Sequence, residues 1–243
     1  MRVWPEGHTR QKPFVHIGEI VEEILKLFAD CTGDGTVGYL AGADYEMSHE
    51  GNMGASNLWN VLDQADKNQL LACECKDKDA LTTQTEKGQT VAPFPRLEWA
   101  LDLSQKPFPG RSAFNGQWGN SPLGNLGGWF WESGFDKDPI NDIERIRDLN
   151  MRAMYGAWDT LKNIDKQYPN HRLGWSAFIA GKRESRRLIG DVMLRADDFR
   201  SGTQFPDAAF PNTWHIGIHV PDPQFDKGLK GDEFISVCTT GSH

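Results

Sequence analysis

The sequence predicts an α/β chain that carries an antiparallel α+β segment, on three observations. An apolar run at residues 24–29 ends in a small, glycine-rich turn, Asp30-Cys31-Thr32-Gly33-Asp34-Gly35, and a short helical pattern follows it. One long amphipathic helix is written over residues 140–164, where Ile140, Ile143, Ile146, Leu149, Met154, Ala157, Trp158, Leu161 and Ile164 recur mostly every three or four positions. That spacing gathers apolar side chains on one helix face. Strand-like runs come after it at 174–179, 188–194, 214–220 and 234–239.

From the N-terminus onward, Ile17, Ile20, Val21, Ile24 and Leu25 have helical spacing, while residues 24–29 read equally as a strand. The turn behind them needs an extended lead-in, which favours the strand. Asp34 is placed to cap a helix over residues 36–43. Residues 46–57 are polar and rich in Gly and Asn, as a connection is. Between 58 and 91 short apolar runs alternate with charged stretches, the pattern of antiparallel strands and loops. Residues 115–131 set Gly116, Gly119, Pro122, Gly124, Gly127 and Gly128 among Trp118, Trp129 and Trp131. A helix interior does not tolerate that many breakers, so the segment reads as a shaped loop presenting aromatic surface. Pro139 opens the long helix, where its fixed φ and missing amide suit the first turn.

The chain has 243 residues and a formal net charge of −8. Its densest basic group is only Lys182-Arg183 with Arg186-Arg187, which argues against nucleic-acid binding through a positive face. No apolar run approaches the roughly 20 residues that cross a bilayer, and residues 1–8 lack the apolar core of a signal peptide. A soluble protein is expected, with the compartment open between the cytoplasm and export. Of the cysteines, Cys73 and Cys75 are separated by one residue, not the two to four of a zinc knuckle, and no paired histidines complete a site. Cys31, Cys73, Cys75 and Cys238 are read as free thiols, and no metal site is expected.

The glycine turn exposes backbone amides ahead of a helix, where missing side chains admit a close-approaching polar or anionic ligand. Three ligand classes compete for it. As a dinucleotide loop, Gly33-Asp34-Gly35-Thr36-Val37-Gly38 satisfies G-x-G-x-x-G. Yet polar sequence follows near Ala43, where a first βαβ unit needs a longer helix and a second strand. As a calcium loop, Asp30, Thr32 and Asp34 take the first three ligand places, but Ala41 stands where a bidentate Glu is required. As a phosphotransfer site, Asp30 would be the nucleophile of a haloacid-dehalogenase-like phosphatase, with Asp191 for magnesium and Lys182 on the phosphate. Thr32 occupies the place where most such enzymes have a second Asp.

Phe28-Ala29-Asp30-Cys31-Thr32-Gly33-Asp34-Gly35, followed by Leu40-Ala41-Gly42-Ala43, resembles the D-x-T-G-D-G … A-G-A segment of a family of FAD-dependent oxidoreductases, glutathione-reductase-like flavoproteins of bacterial origin. Two further blocks agree in content and order. Arg183-Glu184-Ser185-Arg186-Arg187-Leu188-Ile189-Gly190-Asp191, with Ala196-Asp197-Asp198-Phe199 after it, is similar to the family's R-E-S-R-R-x-x-G-D … D. Trp214-His215-Ile216-Gly217-Ile218-His219 is similar to its I-D-I-H strand, with Gly217 where Asp is expected. The resemblance runs over about residues 25–243.

It implies a partial FAD/NAD(P)-binding-like domain with an antiparallel α+β substrate domain. Residues 1–57 would be a remnant of the FAD-binding domain, 58–225 the substrate or cap domain, and 226–243 a strand returning to the first. It implies FAD as cofactor, held near Asp30, Thr32, Gly33, Asp34 and Gly35, and transfer of hydride from an organic substrate to the flavin. The family's first strand and pyrophosphate loop are expected upstream of residue 25 and its closing segment after residue 243. The chain is therefore expected to be an internal piece of a longer flavoprotein.

Arg183, Glu184, Arg186 and Arg187 form the densest charge group and are catalytic candidates. In a strand, Arg183, Ser185 and Arg187 would share one face and Glu184 and Arg186 the other. A guanidinium there could hold a substrate carboxylate or steady charge on a reduced flavin. The alternative is an ion-pair network joining Glu184 to Arg186 or Arg187, docked on Asp191 or Asp197. His215 and His219 would share one strand face and supply acid–base chemistry near neutral pH, or else serve as hydrogen-bonded histidines at a sheet edge. The expected partner is a small-molecule substrate. Trp faces and Asn amides in residues 118–131 suit sugar rings, which sustains a carbohydrate-related substrate or, as a competing class, a carbohydrate-binding module. The alternative is packing of Trp129 and Trp131 against the long helix. Nothing in the sequence sets the oligomeric state.

Overall fold

The computed structural model describes residues 2–4, 28–48, 51–63, 83–84, 90–91, 94–111, 122–208, 211 and 216–240. The chain divides into two compact units, each assembled from separate stretches. Unit 1 comprises Met1–His49, Glu184–Gly217 and Thr240–His243, and unit 2 comprises Glu50–Arg183 and Ile218–Thr239. Helices and short strand pairs together give an α/β composition, and five of the strand pairs are antiparallel.

In unit 1, β1 (Arg2–Trp4) pairs with β2 (Phe28–Asp30), Arg2 opposite Asp30. The glycine turn leads from β2 into α1 (Thr36–Leu40). This helix stops short of the expected Ala43 because a Schellman closure ends it, with the Gly42 amide on Tyr39 O at 3.0 Å and the Ala43 amide on Gly38 O at 2.9 Å. β3 (Tyr45–Glu46) then pairs with β10 (Arg187–Leu188). The strand expected over 188–194 is thus far shorter. It keeps one more bond, Ile189 N to Asp44 O at 2.9 Å, and then gives way to the bend at Asp191 and to α3 (Ala196–Ser201). Asp198 starts that helix by accepting the Arg195 amide at 2.7 Å.

In unit 2, β4 (Ala55–Ser56) pairs with β8 (Glu132–Ser133), and β5 (Trp59–Asp63) pairs with β9 (His171–Ser176) around an irregularity between Asn60 and Val61. β6 (Thr83–Gln84) pairs with β7 (Thr90–Val91), and β11 (Gly217–Pro221) pairs with β12 (Ser236–Thr240), unit 2 holding all of these two strands but Gly217 and Thr240. The long helix, α2 (Ile143–Asp159), continues into a π-helical turn at Thr160–Ile164. It begins after the expected Ile140 because the Asp138 carboxylate takes the Ile140 and Asn141 amides, at 2.8 and 3.0 Å, into a turn of its own. Ile146, Met154, Ala157, Trp158 and Leu161 are buried as their spacing predicts. Ile164 is exposed, since the extra residue of the π turn rotates it off the apolar face.

The core of unit 2 gathers Trp158 and Leu161 with Phe108, Phe130, Trp131 and Phe234. This corrects the reading of residues 122–131 as an aromatic surface: Phe130 and Trp131 are buried, and Trp131 Nε1 donates to Asn125 O at 2.9 Å. Large apolar rings lower the free energy most inside. Trp118 lies outside the described residues. One polar contact and one close backbone approach dock α2. Asn150 Nδ2 donates to Ala55 O and Asn57 Oδ1 at 2.9 and 2.8 Å. Gly156 lets the backbone of Leu101 approach so closely that a Cβ would sit 1.9 Å from its carbonyl oxygen. Beyond the helix, Lys162 Nζ donates to the carbonyls of Tyr168, Pro169 and His171 at 2.8–2.9 Å, and burial pushes its ammonium down to about 8. Among the described residues, no helix is long and apolar enough to cross a membrane.

Candidate functional site

The glycine turn of unit 1 is built by its own side chains. At the end of β2, Asp30 Oδ1 accepts the Thr32 amide at 3.1 Å and the Thr32 hydroxyl at 2.7 Å, while Oδ2 accepts the Gly38 amide at 3.0 Å. These donors, the Gly38 amide foremost, hold the Asp30 carboxyl below its ordinary 3.8 against the opposing effect of burial. The Thr32 hydroxyl in turn accepts the Thr36 amide at 2.9 Å and so caps α1. The expected cap, Asp34, does not do this. Gly35 sits at the N-cap with φ 61°, and Asp34 Oδ1 instead accepts the Ser185 hydroxyl at 2.7 Å.

The two flanks of this turn differ. On one, Leu188 covers the backbone, and a Cβ on Gly38 would lie 2.4 Å from its Cδ1. On the other, Gly33 is exposed at φ 80°, and a Cβ there would meet nothing within 4 Å. The residues 185–188 that seal the first flank belong to the charge-rich block, so two sequence blocks far apart in the chain meet here. Arg186 lays its guanidinium over the Tyr39 ring at 4.0 Å, and Tyr39 meets Tyr45 edge-on at 5.4 Å. Stacking of this kind uses the planar cation without a carboxylate.

The charge block is not a strand over 183–187, since only Arg187–Leu188 pairs. Its side chains therefore do not alternate between two faces, and the ion pairs differ from those expected. Arg187 bonds Glu46 at 3.3 Å, Asp197 bonds Arg200 at 2.9 Å, and Glu184 is half-buried.

Arg183 belongs to unit 2, where it joins a second cluster. Glu132, on β8, is wholly buried. Its amide donates to Phe234 O at 3.1 Å and the Ser236 amide donates to Phe130 O at 2.8 Å, so the segment carrying Glu132 is pinned beside the start of β12. Arg183 Nε donates to Oε1 at 3.0 Å, and Nη2 donates to the same oxygen. His219 Nδ1, on β11, lies 2.9 Å from Oε2 and 3.1 Å from Oε1. The Trp129 ring lies 4.7 Å from the imidazole, centre to centre. His219 Nε2 has no hydrogen-bond partner among the described residues and is not among their buried, unpartnered atoms.

Glu132 went unread in the sequence. The signal available was a lone carboxylate within Trp129-Phe130-Trp131-Glu132, since a buried charge demands a partner. His215 lies outside the described residues, as do Cys73 and Cys75. Cys31 and Cys238 are free thiols, and no group of three or more His, Cys, Asp or Glu among the described residues could hold a metal ion. Two recesses of unit 2, with cavity volumes of about 420 and 240 Å³, lie along residues 96–107 and 159–165; neither is lined by Glu132, Arg183 or His219.

The residues of the turn fit a close-lying dinucleotide. Asp30 and Thr32 direct their bonds inward, and bare peptide at Gly33 faces open space. Residues 25–236 match the family model described as FAD dependent oxidoreductase, and the three blocks at 28–43, 183–199 and 214–219 fall inside that span. No curated protein and no solved structure matches the chain.

Proposed function

Since the chain belongs to the FAD-dependent oxidoreductase family, we propose that it removes a hydride from an organic small molecule, with the turn of residues 30–35 lying against the cofactor and unit 2 taking the substrate. FAD, when bound, supplies the acceptor for the two electrons and the hydrogen that leave the substrate carbon. Gly33 offers backbone to the cofactor, Asp30 and Thr32 hold the turn in shape, and Gly35 allows its left-handed step. In unit 2, His219 Nε2 accepts a substrate proton, and Trp129 beside it gives an apolar face for a ring-bearing substrate such as a sugar. Arg183 keeps the carboxylate behind His219 in place.

The observation that carries this reading is the open flank at Gly33 opposite the flank packed by Leu188. Titrating FAD into the chain and following flavin fluorescence polarisation tests it. Saturable binding is expected, weakened by Gly33→Leu by about tenfold or more, a loss of roughly 1.4 kcal/mol. Gly202→Leu is the control, because Gly202 also has positive φ (63°) and open space but lies after α3, away from the turn. No saturable binding, or equal effects of the two substitutions, would sink the proposal.

A further inference from the structure

We propose that Glu132 is a positioning residue that keeps the proton of neutral His219 on Nδ1 and so leaves the Nε2 lone pair open as a base. The role in turnover rests on the oxidoreductase reading above; the tautomer does not. A substrate that gives up hydride from carbon also sheds a proton from its oxygen or nitrogen. The electron pair of that O–H or N–H bond becomes the second bond of the C=O or C=N product, and the proton moves to His219 Nε2. An imidazole can do this only with hydrogen on the other nitrogen.

The geometry dictates which nitrogen carries it. Arg183 has only donors, and its two bonds to Glu132, from Nε and Nη2, both go to Oε1. Oε2 is left to His219 Nδ1 at 2.9 Å. A lone pair on Nδ1 facing that oxygen would be acceptor against acceptor, so Nδ1 bears the hydrogen. Arg183 Nη2 also turns a hydrogen toward Nδ1 at 3.3 Å, but both carboxylate oxygens lie nearer, at 2.9 and 3.1 Å, and these charged acceptors decide for the hydrogen on Nδ1. Glu132 is wholly buried, so water does not offer either group another partner there.

This arrangement makes Glu132→Gln a switch and not a simple loss. Arg183 claims the amide oxygen, since it cannot face the NH2 group, and the NH2 is thereby turned onto Nδ1. The ring must then accept at Nδ1 and carry its proton on Nε2. Nitrogen-15 NMR of histidine-labelled chain reads this directly: wild type shows the Nδ1–H form and Glu132→Gln the Nε2–H form. Diethyl pyrocarbonate, which attacks the imidazole lone pair, gives a second readout by peptide mass spectrometry. Modification of His219 slows about tenfold in Glu132→Gln, the ratio set by roughly one hydrogen bond of tautomer preference.

Far-UV circular dichroism checks folding of each variant. Should the single amide variant not fold, wild type and Arg183→Met, which keeps the carboxylate, are both expected as Nδ1–H. A wild-type Nε2–H form, or a folded Glu132→Gln chain that stays Nδ1–H, overturns the inference. FAD titration reads the other proposal separately. The tautomer switch without flavin binding keeps this one and removes that one, and flavin binding without the switch does the reverse.

Discussion

Replacing Asp30 by Asn tests whether the glycine turn is held by a carboxylate or only by its glycines. Oδ1 serves the Thr32 amide and hydroxyl at 3.1 and 2.7 Å, and Oδ2 serves the Gly38 amide at 3.0 Å. An Asn side chain has one acceptor oxygen. With that oxygen kept on the Thr32 pair, its NH2 faces the Gly38 N–H donor to donor. An amide left without an acceptor costs about 1–3 kcal/mol, and the Thr32 bonds lose their charge assistance as well. Asp30 is partly exposed, and solvent screening holds the total near 2 kcal/mol, roughly 10- to 30-fold in an equilibrium constant. Native-state hydrogen exchange at Gly38 is the assay, with exchange expected to speed by that factor while Trp158, buried in unit 2, is unaffected.

Acid gives the same result by a second route. The folded carboxyl is held below its unfolded 3.8, chiefly by the Gly38 amide. Its bonds therefore add stability that is full above the unfolded value and is lost as pH falls through the folded one. Protection at Gly38, corrected for intrinsic exchange, should fall below pH 3.8 in wild type and not in Asp30→Asn. Unchanged exchange together with a persisting acid dependence in the variant would refute the reasoning.

Four other substitutions test packing and a shared hydrogen-bond donor. Gly156→Ala should lower the urea midpoint of unit 2 by the equivalent of about 2–3 kcal/mol, although helix propensity alone favours Ala by about 1 kcal/mol; the new Cβ would sit 1.9 Å from Leu101 O, and stabilisation would count against this packing. Gly38→Ala and Leu188→Ala should each destabilise, by about 1–2 and 2–4 kcal/mol, and the double variant should lose at least about 1 kcal/mol less than their sum, because the added methyl fills space vacated by Leu188. Lys162→Met should cost about 1–3 kcal/mol in thermal unfolding by leaving three carbonyls without their shared donor, and a neutral result would show that water replaces it.

The elements that could be read beforehand are those whose signal is local. The period of Ile146, Met154, Ala157 and Leu161 sets the buried face of α2 without reference to any partner. Its two ends depend on other forces. Asp138 draws the amides of Ile140 and Asn141 away from the helix, and the π turn shifts the phase before Ile164. Apolar spacing encodes neither. Strand lengths were harder still, because β10 extends only as far as β3 is there to receive it. In the aromatic segment, composition announced an irregular backbone correctly over the described residues 122–131. It did not say whether the rings of Phe130 and Trp131 face water or core, since the other side of that contact comes from Phe108, Trp158 and Phe234.

The same distinction runs through the candidate site and explains what its motif means. Asp30, Thr32, Thr36 and Gly38 satisfy one another within eight residues, so their pattern could be recognised as a unit. Asp34 could not be assigned, because its partner Ser185 lies 151 residues away, and Glu132 could not, because its partners Arg183 and His219 are 51 and 87 residues off. Asp30 and Thr32 direct both carboxylate oxygens and the hydroxyl into the turn, leaving the peptide of Gly33 as the part that faces open space. The side chains in such a motif are therefore required by the turn itself, and the proposed cofactor contact falls to the backbone they hold in place. Substituting Asp30 should then disturb cofactor contact only as far as it disturbs the turn, whereas substituting Gly33 should disturb contact with the turn's bonds intact.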